Sequence, residues 1–296
     1  MTFIHPRYKT PVVCIVGTSI VMGVAIVTMD VMRIAKLASA FKILIFIGVN
    51  IAVIVLAGAG DHFSAGHDIG SPGRDIHQDF GRVATNWWPH EHTEGAENTY
   101  VREAELYLGM CRRWRETPKP TIAMVQGACV AGGLMLAWSC DLIVAADDAF
   151  FADPVLHMGI PGVEYFAHPF AMAPRLAKEF LFLGDKMSAE RAYAVGMINR
   201  VVPRDRLVTD TLAMAGRVAE KPRFGLALAK KAVNQAEDRM GLRDTMDATF
   251  ALHHLAHAHN ALTSTDHLAG HDAKSMAKTL ISDELPDDEN MAKTRT

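Results

Sequence analysis

Apolar positions in the first half of the chain fall into short unbroken runs, and in the second half they recur at helical spacing. Residues 51 to 57, IAVIVLA, are continuously aliphatic and end at Gly58–Ala59–Gly60, the pattern of a strand buried on both faces. Thr121 to Val125, closed by Gly127, and Asp141 to Ala146 read the same way. Between the first two runs, Ala104, Tyr107, Leu108 and Cys111 recur at helical spacing, which predicts a helix over Tyr100 to Arg115 stopped by Thr117–Pro118–Lys119–Pro120. Val130–Ala131–Gly132–Gly133 then leads into a short apolar helix, Leu134 to Ser139, and beyond residue 185 the spacing is helical to a polar tail over 283–296. Strands alternating with glycine-bearing loops and helices require a layered α/β fold. The pattern divides the chain into a segment over 1–50, a core over 51–205 and a helical region over 206–296.

The first segment admits two readings. Residues 11 to 29 carry no charge and follow Arg7 and Lys9, which suits a membrane span. The same run splits at Gly17–Thr18–Ser19 into Val12 to Val16 and Ile20 to Met29, a β-hairpin inside a soluble core; its wealth of Val and Ile favours the hairpin. Val31, Ile34, Leu37, Ala38 and Phe41 line one face of a short amphipathic helix over 30–42. A cleaved signal peptide is disfavoured, because the small-residue site Ala38–Ser39–Ala40 lies beyond Asp30, Arg33 and Lys36. Residues 70 to 95, rich in Gly, His, Trp and charge, predict a flap over a site, with Trp87, Trp88, His90 and His92 anchoring it or shaping a pocket.

At 296 residues, half of them hydrophobic, the chain can bury a large core. A formal charge of −3 excludes a dedicated nucleic-acid binder. Cys14, Cys111, Cys129 and Cys140 show no CxxC spacing, so neither a zinc knuckle nor a disulfide framework is indicated and a reducing, cytoplasmic setting fits.

The candidate chemistry lies in two loops. In Ser64–Ala65–Gly66–His67–Asp68 a glycine after a buried strand lets the backbone turn and present an amide. Ala131–Gly132–Gly133 opens a helix, where unpaired N–H groups favour negative charge. Two amides from separate loops converging on one oxygen make an oxyanion hole. The segments IVLAGAGDHFSAGHDI (54–69), KPTIAMVQGACVAGGLMLAWSCDLIVAADDAFFADP (119–154), MGIPG (158–162) and FLFLGDKMSAERAYAVGMINRVVPRDRL (180–207) resemble, in this order, the signature blocks of the enoyl-CoA hydratase/isomerase (crotonase) superfamily. The resemblance implies a spiral of ββα turns with a helical C-terminal region, assembly as a trimer or a dimer of trimers, and an acyl-CoA substrate with no further cofactor. It places the oxyanion donors on the N–H groups of His67 and Gly132, with Ser64 to Asp68 and Gly133 lining the CoA path, and Lys230 with Lys231 near the CoA phosphates. On this view the backbone carries the role of His67, and its side chain is dispensable.

The chain departs from the family at both glutamates that move protons in the hydratases: Met135 and Val155 stand there, and neither side chain transfers a proton. The first strands and helix also lack the family's Asn-bearing turn. The remaining candidates for proton transfer are Asp153, His157, Glu164 and His168. Glu164 leads, because Val163, Tyr165 and Phe166 beside it are expected to raise its pKa toward neutrality, whereas Asp153 is expected to cap or brace the turn at Pro154. A CoA-binding protein without catalysis is the alternative. His253, His254, His257 and His259 crowd one helix, and His253 with His257 has the i, i+4 spacing of metal ligands; without an HExxH glutamate they read as helix packing or a subunit contact, with no metal.

Overall fold

The computed structural model describes the backbone of residues 43–46 and the whole of 53–67 and 93–263. The expected hairpin or span over 11–29, the helix over 30–42, Asp68, the flap up to His92 and the polar tail lie outside the described residues. Along the described chain follow β1 (Ile43–Phe46), β2 (Ile54–Gly58) and α1 (Gly95–Glu103), which runs through a π-helical segment, Ala104–Leu108, into α2 (Gly109–Arg115). Next come β3 (Thr121–Val125), β4 (Ala128–Val130), α3 (Gly132–Trp138), β5 (Leu142–Ala146), β6 (Phe150–Ala152) and a 3₁₀ turn, Pro154–Met158. The chain continues through α4 (His168–Ala171), α5 (Pro174–Leu183), β7 (Met187–Ser188), α6 (Ala189–Ala194) and β8 (Arg200–Val202) to the long helices α7 (Leu207–Ala219), α8 (Arg223–Arg239) and α9 (Leu242–Thr263).

From β3 to β6 successive strands alternate between two sheets, the turn of a spiral. One sheet has the order β1-β2-β3-β5-β8, parallel except for antiparallel β1, and the other has the order β4-β6-β7. The unbroken aliphatic runs explain the first sheet: every residue of β3 is buried, and α7 closes one face by packing Leu207, Met214 and Val218 on Val55, Ile122, Met124 and Val144. A second core joins the α1–α2 rod to α9, with Tyr107, Leu108 and Cys111 against Met246 and Phe250. This core reaches the candidate site through Met135, Val155, Val163 and Tyr165.

β3 forms over Thr121–Val125 as its pattern predicts. The predicted helix over Tyr100 to Arg115 starts earlier, at Gly95, and contains the π-helical segment, whose wider turn leaves no mark in the apolar spacing. Strands β1, β7 and β8 are too short for their residues to show a period. Among the described residues no helix is long and apolar enough to cross a membrane.

Candidate active site

Side-chain and backbone bonds fasten the loop after β2 to the corner between β3 and β4. The Gln126 side-chain amide donates to the carbonyls of Gly58 and Gly60 at 2.8 and 3.0 Å. Phe63 N–H donates to Gln126 O, Ser64 N–H to Ala128 O, and Val130 N–H to Ser64 O, at 2.7, 3.0 and 2.9 Å. This ladder brings Gly66 and His67 to the start of α3. Gly66 has φ +94, and a Cβ there would lie 3.2 Å from the Val130 carbonyl oxygen and 3.4 Å from the Gly132 nitrogen. At Gly133 a Cβ would come within 2.7 Å of the Ser64 carbonyl oxygen, so a larger residue would push the two loops apart. Ala131 holds φ 48, ψ −110, a strained conformation for a residue with a side chain, and its N–H is tied to Ala152 O at 2.9 Å. The structure thus sets Gly66 and His67 against Gly132, and Ser64 against Gly133.

Glu164 reaches the same place. It is 4% exposed, and its Oε1 lies 3.3 Å from Nε2 of His67, whose ring packs 4.2 Å from that of Tyr107 on the π-helical segment. The expected rise in its pKa is overturned. Burial does push the carboxyl up, but the charge and hydrogen bond of His67, with a smaller contribution from His253, outweigh it and bring the value down to about 2. The His67 side chain, expected from its backbone role to be dispensable, thus contacts Glu164 and holds its pKa down.

Met135 and Val155 are buried in one apolar cluster with Cys111, and Met135 offers its sulfur to Tyr165 N–H at 3.4 Å. Burial drives the Cys111 thiol far above its ordinary pKa, so it supplies no thiolate there. Asp153 is fully buried. It makes no side-chain cap on the 3₁₀ turn, and its Oδ2 instead accepts from Val163 N–H at 3.2 Å and faces His168 Nε2 at 2.9 Å. Asp153 and His168 thus brace the residue next to Glu164. His157 is exposed, on the side of Gly184. The Lys230 side chain, expected near the CoA phosphates, is 7% exposed, and its ammonium binds Asp141 Oδ2 at 2.8 Å and the Lys119 carbonyl at 3.0 Å. Sequence reasoning missed the His67–Glu164 contact and the part of Tyr107, since no local pattern links these positions.

A mainly parallel sheet beside a smaller one, with strands β3 to β6 alternating between them and a helical C-terminal region, defines a crotonase-type α/β fold. Residues 90–278 match the family model for enoyl-CoA hydratase/isomerase, and the chain belongs to that family. It is 42% identical over 219 residues to EchA13 of Mycobacterium tuberculosis, which bears an enoyl-CoA hydratase name, covering 71% of this chain and 67% of that protein. It is 31% identical to the rat mitochondrial enoyl-CoA hydratase domain-containing protein 3, spanning only 54% of its length. A crystal structure of an enoyl-CoA hydratase-type protein from Mycobacterium thermoresistibile superposes with TM-score 0.63 at 45% identity, over 72% of this chain and 80% of that one. One from Mycobacterium smegmatis does so with TM-score 0.63 at 43% identity, over 73% and 79%.

Proposed function

We propose that the protein binds an acyl-CoA thioester with its carbonyl oxygen between the N–H groups of His67 and Gly132, and that Glu164 carries the proton exchanged with the resulting enolate. The observation behind this reading is the packing of the Gly66–His67 turn against Gly132, with the Glu164 carboxylate 3.3 Å from the His67 ring. Donors fixed in advance at the oxygen stabilise the enolate, and a carboxylate ionised at neutral pH enters the cycle as a base. The thioester supplies its own activation, so the reaction needs no cofactor beyond CoA in the substrate. Lys231, exposed beside the committed Lys230, is the remaining candidate on that edge for the CoA phosphates. Large apolar side chains exposed on α8 (Phe224, Leu228, Val233) and α9 (Leu252, Leu255, Leu262) support association of copies as a trimer or hexamer. The buried free thiols Cys111 and Cys129 agree with a reducing, cytoplasmic setting.

The reaction is an enolate reaction other than ordinary hydration. Met135 and Val155 cannot activate water or protonate the α-carbon, and each missing acid–base group costs about 10² to 10⁴ in rate. Hydration of crotonyl-CoA is therefore expected to be slower than in a glutamate-bearing relative by about 10² or more. Ultraviolet loss of the enoyl thioester checks this, and a rate within tenfold of such a relative overturns it. Turnover of another acyl-CoA in a panel supports the enolate reading. Tight binding with no turnover throughout the panel favours a non-catalytic CoA-thioester binder instead.

A further inference from the structure

Where α1 meets α9, side chains come together to which the thioester reading assigns no chemical step; His253 among them acts on Glu164 only through its charge. His253 and His257 lie one turn apart on α9, and Glu103, the last residue of α1, comes to meet them. Glu103 Oε2 is 3.5 Å from His253 Nε2, 3.3 Å from His254 Nε2 and 3.9 Å from His257 Nε2. The Nε2 atoms of His253 and His257 are 3.0 Å apart. The site is shielded, with the Glu103, His253 and His254 side chains 7%, 6% and 10% exposed. The carboxylate that an HExxH motif would supply locally arrives here from another helix.

The arrangement has the features of a cation site. One ligand atom from each of Glu103, His253 and His257 lies within 4.8 Å of the other two. Zinc bonds of about 2.0–2.2 Å in a tetrahedron put neighbouring ligand atoms about 3.3 Å apart, and the observed separations bracket that value. His253 Nδ1 lies 2.8 Å from the Gly162 carbonyl, which can only accept, so Nδ1 carries the hydrogen and Nε2 turns toward the cluster. Two imidazole nitrogens cannot face each other as bare lone pairs; a proton or a metal ion must lie with them. Glu103 Oε2 and His254 Nε2 are buried without a well-formed hydrogen bond, which is costly unless a further group is bound. Two imidazoles and one carboxylate, with no thiolate, suit zinc and its transition-metal neighbours better than magnesium or calcium.

We propose that Glu103 Oε2, His253 Nε2 and His257 Nε2 bind a divalent transition-metal ion of the zinc type, with His254 donating its Nε2–H to the Glu103 carboxylate. The bound ion clamps α9 to α1. Through the His253 to Gly162 hydrogen bond it also steadies the loop that carries Glu164 two residues later. The fourth coordination position is left to water.

The test uses the full-length protein, stripped with a chelator, dialysed and titrated with zinc chloride against a chromophoric zinc indicator. Wild type and His259→Ala, an exposed neighbour outside the cluster, should each take up one ion per chain. Glu103→Gln and His257→Ala should bind at least tenfold more weakly. Zinc should raise the melting temperature of wild type but not of His257→Ala. Cobalt(II) should give a visible absorption band in wild type that His257→Ala loses. Circular dichroism shows that each variant is folded, and His257, the most exposed of the ligands, is the substitution least disruptive to packing. Absence of saturable zinc binding by the folded wild type overturns the proposal. Equal affinity in both variants also overturns it, because the ion would then be adventitious and the cluster a proton-bridged brace between helices. None of these readings depends on the acyl-CoA chemistry, so failure here leaves the thioester site untouched.

Discussion

Glu164→Gln lowers kcat on whichever acyl-CoA thioester the protein turns over by about 10² to 10⁴, with KM changed only a few-fold. Glutamine keeps the shape and burial of the side chain and removes its ability to take a proton, so the loss falls on the chemical step. A carboxyl held at about 2 is a weak base, and removal of an α-proton by it relies on the oxyanion donors to acidify that carbon. The companion variant His67→Ala tests the cause of the low value. Without His67, desolvation of the buried carboxyl loses its main opposition, and the Glu164 pKa rises above the ordinary 4.5. The base is active only when deprotonated. The wild-type enzyme therefore shows no acid limb from Glu164 across the mildly acidic range, and His67→Ala develops one, with kcat/KM falling as pH drops. Full activity of Glu164→Gln would end the assignment. Loss of activity in Asp153→Asn alone would move the proton transfer to the buried Asp153–His168 pair.

Gly132→Pro is expected to reduce kcat by about 10² to 10³, the effect of removing one oxyanion donor, or about 3 kcal/mol. Proline at the first position of a helix gives up only an N–H that has no acceptor within the helix, so α3 itself tolerates it. Strain enters through Ala131, already at φ 48, and the fold of the variant must be verified by circular dichroism. Gly132→Ala is the control: its methyl makes ordinary 3.4 Å contacts with Gly66 Cα and His67 Cε1, and the N–H is kept. The alanine variant should therefore outperform the proline variant. Folded Gly132→Pro with wild-type turnover would show that this amide does not hold the thioester oxygen.

The fold and the two loops were legible in the sequence because their determinants are local. Short unbroken aliphatic runs suit strands covered on both faces, which gave β2, β3 and β5, and the glycines at 66, 132 and 133 stand where the backbones of two loops approach within contact. The absence of a proton-moving side chain at Met135 and Val155 is likewise a property of residue type alone.

Tertiary structure decided what depends on partners distant in the chain. The Glu164 pKa is the difference between burial, visible in its apolar neighbours, and an imidazole from a loop that precedes it by four strands, which is not. The same limit hid the capture of Lys230 by Asp141 and the meeting of Glu103 with the α9 histidines, where the local motif that would have signalled a metal is absent. Hydrophobic burial follows the period of one segment and is written into it, whereas the state of a buried charge is fixed by whichever opposite charge the fold carries to within a few ångströms.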